Sequence, residues 1–317
     1  MPALYIFLGI VGGLTVVTLA AALVCYFMTF YSPKRKKLDP DEYDIPEGEI
    51  YEVYRDAMVN WQKATRQMSH EDIEIKSRDG LTLRGKYYEF SPDAPLEIMF
   101  HGYKGNAERD LSGGVDRCFR LGRSVIIVSQ RAHGDSDGHT ISFGIKECLD
   151  CLEWVKYANS RFGNKIKIIL TGISMGASTV LMAGGEELPD NVVCILADCG
   201  YSSPKEIIKK VVHDMHLPVS VVYPFIRLGG LIYGRFDLES NSPIEAMKRC
   251  KVPVIFVHGE GDDFVPCDMS REMYEVCQAP KAIYTVPGAG HGLAFPADID
   301  GYIKEVKAFE ANWKDAI

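Results

Sequence analysis

The sequence has little that would suit a nucleic-acid-binding or secreted protein. Its 35 lysines and arginines are outnumbered by 43 aspartates and glutamates, so the formal net charge is −8. A general nucleic-acid binder needs a basic surface, and we therefore predict no nucleic-acid partner. The nine cysteines are odd in number and follow no regular spacing. This usage is not that of a secreted disulfide framework and favours a reducing compartment.

Charged side chains are missing from residues 1–33. The stretch at 4–30, LYIFLGIVGGLTVVTLAAALVCYFMTF, is long enough to cross a hydrocarbon core, which takes about 20 apolar residues. A cleaved signal peptide is the alternative, but the segment lacks a basic start and its apolar run continues past the small residues at 20–22. We therefore predict an uncleaved transmembrane anchor over residues 1–33. Its Gly9 and Gly13 form a G-x-x-x-G that suits pairing of two such helices.

A basic cluster, KRKK at 34–37, follows the anchor directly. The positive-inside rule places such a cluster in the cytoplasm, so we predict a single-pass membrane protein with the bulk of the chain on the cytoplasmic side. Residues 34–70 then comprise this basic segment, a polar linker at 38–49 and one packing helix. The helical spacing predicts a packing face of Val53, Ala57, Trp61 and Ala64.

From residue 71 onward short apolar runs alternate with helical patterns. A hairpin is predicted around Asp79 and Gly80, followed by six buried strands within 96–102, 123–130, 165–172, 191–198, 252–259 and 281–288. Helices are predicted at 107–121, 143–161, 175–187, 244–250, 268–278 and 297–315. Such alternation favours a mostly parallel sheet with helices on both faces, over residues 71–317. An apolar insertion at about 204–246 interrupts it, and we predict that this insertion forms a small helical cap.

The stretch ILTGISMGAST at 169–179 places Ser174 between Gly172 and Gly176, directly after an apolar run. A G-x-S-x-G between a strand and a helix is typical of a nucleophile elbow, in which the glycines permit a tight turn and the serine hydroxyl is exposed. The N-terminus of the following helix favours negative charge that develops there. The pentapeptide alone also suits a phosphate-binding turn, so the interpretation depends on partners elsewhere in the chain.

A serine hydroxyl is a weak nucleophile until a base takes its proton, and histidine is the expected base. Of the eight histidines, His291 in GAGHG is the one that follows a predicted strand near the C-terminus. The base needs an acid in turn. HGEGDDFVP at 258–266 offers Asp262 and Asp263 after the preceding strand, and Asp198 in ILADCGYSS is an alternative at the end of another strand.

An oxyanion hole is the fourth requirement. FHGYKGN at 100–106 lies at the end of an early strand, where backbone N–H groups can face a substrate carbonyl. We predict that the N–H groups of Tyr103 and Met175 form the hole. Two nearby histidines are interpreted as structural: His101 braces this loop, and His258 supports the residues around it.

From about residue 71 to 314 the chain resembles an α/β-hydrolase of the serine aminopeptidase-like and lysophospholipase-like branch. The stretches that carry the resemblance are FHGYKGN, SQRAHGDSDG, GISMGA, VHGEGDDFVP and GAGHG, in family order. The resemblance implies an eight-stranded sheet, acyl-transfer hydrolysis and the chain order serine, acid, histidine. It also implies that Asp262 is the acid and Asp263 a neighbour. The anchor is a departure from the soluble members, although similar anchored hydrolases exist.

The segment RAHGDSDGH at 131–139 packs two histidines and two aspartates into nine residues and could suggest a metal. The resemblance implies instead that it is a structural loop. The predicted reaction needs no cofactor and no metal, because His291 takes the proton of Ser174 and Asp262 stabilises the charged imidazole.

We predict a carboxylic-ester hydrolase that acts on a small-molecule acyl ester, and the apolar cap and the anchor suit a lipid-derived one. A peptidase that releases N-terminal residues is the second hypothesis. It would need an acidic cluster in the cap, which offers Asp214, Asp237 and Glu239 without an obvious paired arrangement. The third is a non-catalytic membrane scaffold, because fold does not guarantee activity.

Overall fold

The structure is a computed structural model that describes residues 2–33, 39 and 41–311. The basic cluster at 34–37 and the end of the predicted final helix, 312–315, lie outside the described residues. Eight strands form one sheet: β1 (Glu71–Lys76), β2 (Thr82–Tyr88), β3 (Leu96–Phe100), β4 (Ser124–Ser129), β5 (Ile168–Ile173), β6 (Val192–Asp198), β7 (Val254–Gly259) and β8 (Lys281–Val286).

The sheet has the order β1-β2-β4-β3-β5-β6-β7-β8. The hairpin of β1 and β2 is antiparallel, with Glu71 opposite Tyr87, and β2 also runs antiparallel to β4. Every pairing from β4 to β8 is parallel. The central strands are buried along their whole length, which explains their continuous apolar runs. The carboxyl ends of β5, β6, β7 and β8 therefore meet at one edge of the sheet.

Twelve α-helices surround the sheet within the described part of the chain. They are α1 (Pro2–Thr29), α2 (Glu49–Glu52), α3 (Arg55–Gln67), α4 (Ala107–Arg120), α5 (Glu147–Phe162), α6 (Met175–Gly184), α7 (Pro204–Asp214), α8 (Val219–Gly229), α9 (Pro243–Met247), α10 (Cys267–Val276), α11 (Ala294–Ala297) and α12 (Ile299–Ala311). One face of the sheet packs on α5, α6, α9 and α10, and the other on α3, α4, α11 and α12.

The segment before the sheet differs from the predicted single helix. It forms two helices, because the chain breaks between α2 and α3 at Val53 and Tyr54. Val53 is 81% exposed and Ala64 is also exposed, so the predicted packing face was wrong at both positions. The buried side chains of α3 are Gln62 and Thr65, because the break rotates the helix by about one residue relative to the expected face.

Helix α5 begins at Glu147 and not at the predicted residue 143. Phe143 and Gly144 both have positive φ, which ends any helical path through them. The Glu147 carboxylate accepts hydrogen bonds from the N–H groups of Ser142 and Gly144, at 2.9 Å each. The acidic side chain therefore holds the turn before the helix in place, and apolar periodicity gives no sign of this contact.

The insertion at 204–246 contains α7, α8, a π-helix (Gly230–Gly234) and the start of α9. Its apolar side chains form one buried cluster with the last turns of α1. Tyr26, Phe30 and Met175, the residue after Ser174, all belong to this cluster. The end of α1 therefore packs on the side of the molecule where the candidate site lies.

Helix α1 is the one helix in the described ranges that is long and apolar enough to cross a membrane, with a mean hydropathy of 2.4 over its best window. Gly9 and Gly13 have nothing packed against them. Pairing of two anchors, the orientation of the chain and the boundaries 1–33, 34–70 and 71–317 stay predictions.

Candidate active site

Ser174 lies on the sharp turn between β5 and α6. Its φ of 56° and ψ of −119° are outside the usual range for a residue with a side chain, and its N–H donates to the carbonyl of Asp198 at 2.8 Å. A methyl group on Gly172 would lie 2.1 Å from the carbonyl carbon of Gly176, and one on Gly176 would lie 2.0 Å from the carbonyl oxygen of Phe100. Both glycines are needed for this close approach of strand and helix.

His291 reaches Ser174 from the loop that follows β8. Its Nε2 lies 2.9 Å from the Ser174 Oγ, and its Nδ1 lies 2.7 Å from the Asp262 Oδ2. The ring packs edge-on against Phe264, at 5.1 Å between centroids. The hydroxyl of Tyr51 donates to the His291 carbonyl oxygen at 3.0 Å, which ties the loop down. The imidazole thus bridges the hydroxyl and the carboxylate.

Asp262 sits in the turn after β7 and is buried. Its Oδ1 accepts from the backbone N–H groups of Phe264 and Val265, at 3.0 and 2.8 Å. Burial opposes its ionisation, but hydrogen bonds from His258 and His291 outweigh burial and hold the pKa of Asp262 well below its ordinary value. The carboxylate therefore stays charged beside the imidazole at any pH near neutrality.

The alternative acids lie elsewhere. Asp263 is exposed, and its carbonyl accepts from the Lys210 ammonium at 2.6 Å. Asp198 is buried behind the serine, where Tyr302 donates to its Oδ2 at 3.1 Å. Burial raises the pKa of Asp198 to about 6. Of the three carboxylates that the sequence offered, Asp262 is the one hydrogen-bonded to His291.

His258 lies beneath Asp262. Its Nε2 donates towards the Val265 carbonyl at 2.9 Å and the Asp262 Oδ2 at 3.2 Å, while Ser270 lies 2.7 Å from its Nδ1. The ring therefore orients the carboxylate and does not approach Ser174 through any hydrogen bond in the described residues.

The loop after β3 lies against the serine. A methyl group on Gly102 would lie 3.5 Å from the Ser174 Cβ, so the next residue, Tyr103, is at the edge of the site. His101 lies 2.8 Å from the Gly102 carbonyl through Nδ1 and accepts from Gln130 N–H at 3.1 Å through Nε2. His101 thus shapes the loop, as the sequence analysis interpreted it.

Met175 is the first residue of α6. The first N–H groups of an α-helix have no partner within the helix, so the Met175 N–H is available beside Ser174. Whether it and the Tyr103 N–H hold an oxyanion stays a prediction.

Three residues from the N-terminal segment contact the site or its flanking loops, although none of them lies in a motif. The Tyr103 hydroxyl donates to the carbonyl of Thr29, the last residue of α1, at 2.7 Å. Asp44 accepts from Asn106 at 3.2 Å, and Tyr51 holds the histidine loop. These contacts join residues 62 to 240 positions apart, so no local pattern could have revealed them.

Three of the four side chains that suggested a metal in the loop at 131–139 contact neighbouring residues. His133 accepts from the Lys104 N–H at 3.1 Å, and Asp137 accepts from the Thr82 N–H at 3.0 Å. His139 stacks on Tyr31. These side chains contact backbone N–H groups and an aromatic ring, which agrees with a structural loop.

Cys199 lies behind the histidine, and its Sγ and ligand atoms of Asp262 and His291 are within 4.8 Å of one another. Burial raises the pKa of this thiol well above its ordinary value. Asp262 and His291 are already hydrogen-bonded to each other at 2.7 Å. Cys199 therefore serves as packing behind the site.

The sheet order, the helices on both faces and the serine turn after β5 are those of an α/β-hydrolase, so the predicted fold class is confirmed. The chain belongs to the prolyl oligopeptidase family, which residues 141–315 match. It is similar to YqkD of Bacillus subtilis, with 25% identity over 96% of this chain and 97% of that protein. It is also similar to protein bem46 of Schizosaccharomyces pombe, with 28% identity over 77% and 78%.

A solved structure with the same fold is that of the Pyrococcus furiosus esterase Pf2001. It superposes with a TM-score of 0.63 and 24% identity, over 78% of this chain and 94% of that one. A further relative is the Saccharomyces cerevisiae membrane protein YNL320W, with 26% identity over 60% of this chain and 61% of that protein.

Proposed function

We propose that the protein is a serine hydrolase that cleaves carboxylic esters through an acyl-enzyme. The observation that carries the proposal is the continuous chain of hydrogen bonds from Ser174 through His291 to Asp262, at 2.9 and 2.7 Å. These distances are those expected between a nucleophile, its base and the group that orients the base. The esterase among the solved structures with this fold is in keeping with this chemistry.

The proposed reaction begins when the Ser174 oxygen attacks the ester carbonyl and its proton passes to His291 Nε2. Asp262 accepts the hydrogen bond from Nδ1 and stabilises the imidazolium. His291 then gives the proton to the leaving alcohol, and an acyl-serine forms. Water repeats the sequence, with His291 again as base, and the carboxylic acid leaves.

The oxyanion of each tetrahedral intermediate needs hydrogen-bond donors that are already in place. We assign this role to the N–H groups of Tyr103 and Met175. Support comes from the approach of the 102–105 loop to Ser174 and from the start of α6, whose dipole favours negative charge.

The proposed acyl side of the substrate is apolar. Met175 belongs to the buried cluster that the cap and the end of α1 form, and Tyr103 packs against it. Phe143, Tyr201 and Val265 are also members of this cluster. An acyl chain placed beside Ser174 would therefore meet aliphatic and aromatic side chains, which suits a lipid-derived ester.

A peptidase is the second candidate, and the family to which the chain belongs favours it. A free N-terminal amine would need an unpaired carboxylate near the site. The cap carboxylates have other partners: Asp237 pairs with Arg227 at 2.9 Å, Glu239 with Lys205 at 3.2 Å, and Asp214 with Lys210. We therefore favour the ester.

We also propose that α1 anchors the protein in a membrane, which its length and composition and the membrane relative support. The cytoplasmic side is the orientation that the basic cluster at 34–37 favours.

The test compares the full chain in detergent with its Ser174→Ala variant. Rates are measured on p-nitrophenyl esters of increasing chain length and on aminoacyl-anilides. Turnover of esters alone, lost in the variant, supports the esterase, and turnover of anilides promotes the peptidase. A folded protein that turns over neither would favour the non-catalytic scaffold.

A further inference from the structure

Helix α1 has two parts with different surroundings. Nearly every side chain before Ala22 is exposed, whereas Ala22, Tyr26 and the following Phe30 are buried against the cap. The stretch at 2–21 has 20 residues, which is about 30 Å of helix and matches the thickness of a hydrocarbon core. The point at which α1 enters the protein therefore coincides with the point at which it would leave the bilayer.

The cap meets α1 at this same point. A methyl group on Gly229 of α8 would lie 2.5 Å from the Ala22 carbonyl oxygen, so the two helices touch backbone to backbone there. The Tyr233 hydroxyl, in the π-helix, donates to the Leu19 carbonyl at 3.1 Å, and its ring lies 5.9 Å from that of Tyr26. Leu19 is inside the stretch that would span the membrane, roughly 3 Å from its end.

The two residues before Tyr233 are apolar and exposed. Leu231 is 44% exposed and Ile232 is 42% exposed. Because Tyr233 contacts α1 at Leu19, these neighbours lie at the depth of the end of the span. Two large apolar side chains are thus exposed by more than two-fifths of their surface beside the end of the span.

Basic side chains flank the same segment. The Lys146 ammonium donates to the Gly234 carbonyl at 3.0 Å, and Arg235 is exposed directly after the π-helix. Long basic side chains beside an apolar segment are typical of the boundary between acyl chains and headgroups, where the stems lie in apolar surroundings and the charges reach polar ones.

We propose that the cap is a second membrane contact. Leu231 and Ile232 insert into the leaflet beside α1 and hold the active-site face against the bilayer surface. From Ala22 to Thr29 the helix rises about 10 Å, and Thr29 accepts the hydrogen bond from Tyr103 at the edge of the site. The acyl ester of the proposed reaction therefore enters from the bilayer. This inference rests on the proposed anchoring and on the proposed esterase.

The first test measures depth without using catalysis. Full-length Ile232→Trp is reconstituted into phosphatidylcholine vesicles with or without lipids brominated in the part of the acyl chain nearest the headgroup, which quench tryptophan on contact. Val53→Trp is the matched control, because Val53 is 81% exposed and lies outside both α1 and the cap. We expect the introduced tryptophan at 232 to lose roughly half of its emission, and the one at 53 to lose none.

Equal quenching of the two variants overturns the proposal, and so does protein that fails to float with the vesicles. Neither result bears on the proposed esterase activity, which the hydrolysis of soluble esters tests separately.

The second test uses a double variant, Leu231→Ser with Ile232→Ser, which replaces both apolar residues. Val53→Ser is its control. We expect the ratio of rates on a vesicle-borne long-chain ester and a soluble short-chain ester to fall roughly tenfold. An unchanged ratio contradicts entry from the bilayer.

Discussion

Phe30 provides a sharp test of whether the end of α1 is part of the folded domain. Its side chain is fully buried, and its ring packs edge-on against Phe143 and Phe236 at 6.0 and 5.1 Å between centroids. Removing a fully buried phenylalanine side chain costs about 3–5 kcal/mol. We expect Phe30→Ala to lie at the low end, about 3 kcal/mol, because the exposed turns of α1 can shift to fill part of the cavity.

A loss of about 3 kcal/mol lowers the melting temperature of a domain of this size by roughly 6–10 °C. The assay is thermal unfolding of the full chain in detergent, followed by near-ultraviolet circular dichroism at one heating rate. Phe27→Ala is the matched control, because Phe27 is one turn earlier and 51% exposed. We expect it to shift the melting temperature by less than about 2 °C. Equal shifts for the two variants would refute the packing described for α1.

Three further predictions concern the site and the buried charges. Asp262→Asn should lower kcat on a p-nitrophenyl ester roughly 10,000-fold, as loss of the orienting acid does in such triads. Asp198→Asn is the control and should keep most of the activity. The reverse ranking of the two variants would make Asp198 the acid. Tyr103→Phe keeps the backbone N–H but loses the hydrogen bond from the side-chain hydroxyl to the Thr29 carbonyl, so kcat should fall roughly three- to tenfold. An unchanged kcat would mean that this hydrogen bond does not position the loop after β3. Burial opposes ionisation of Glu97, yet Arg117 and Arg123 hold its pKa at about 2, below its ordinary 4.5. The stability that this carboxylate contributes is fully present above about pH 4.5 and is lost as the pH falls through about 2. Glu97→Gln should therefore lower the melting temperature less at pH 3 than at pH 7, and equal shifts at both would contradict it.

Much of the fold and the centre of the site could be predicted because each part has a local signal. Strands β3 to β7 are short buried runs, and the turn at Ser174 needs Gly172 and Gly176 beside it. His291 and Asp262 follow strands whose carboxyl ends a parallel sheet brings to one edge. The choice between Asp262 and its neighbour Asp263 depended on the family resemblance, because both follow the same strand.

The parts that could not be predicted depend on contacts between residues that are far apart in the sequence. Tyr51 holds the His291 loop, and Thr29 accepts from Tyr103, yet neither residue stands in a recognisable motif. Apolar spacing also misjudged Val53, because a break in the helix changes which side faces the protein. The end of α1 was expected to serve as an anchor alone, and its burial against the cap follows from tertiary contacts that the apolar run does not encode.

Covalent labelling of Ser174 tests the central claim most directly. The full chain in detergent is treated with a fluorophosphonate, and the labelled residue is located by peptide mass spectrometry, with Ser174→Ala and the buried Ser178→Ala treated alongside. We expect a single adduct on Ser174 that is absent from Ser174→Ala and retained in Ser178→Ala. A folded wild-type protein without an adduct, or an adduct that persists in Ser174→Ala, would contradict the proposed nucleophile.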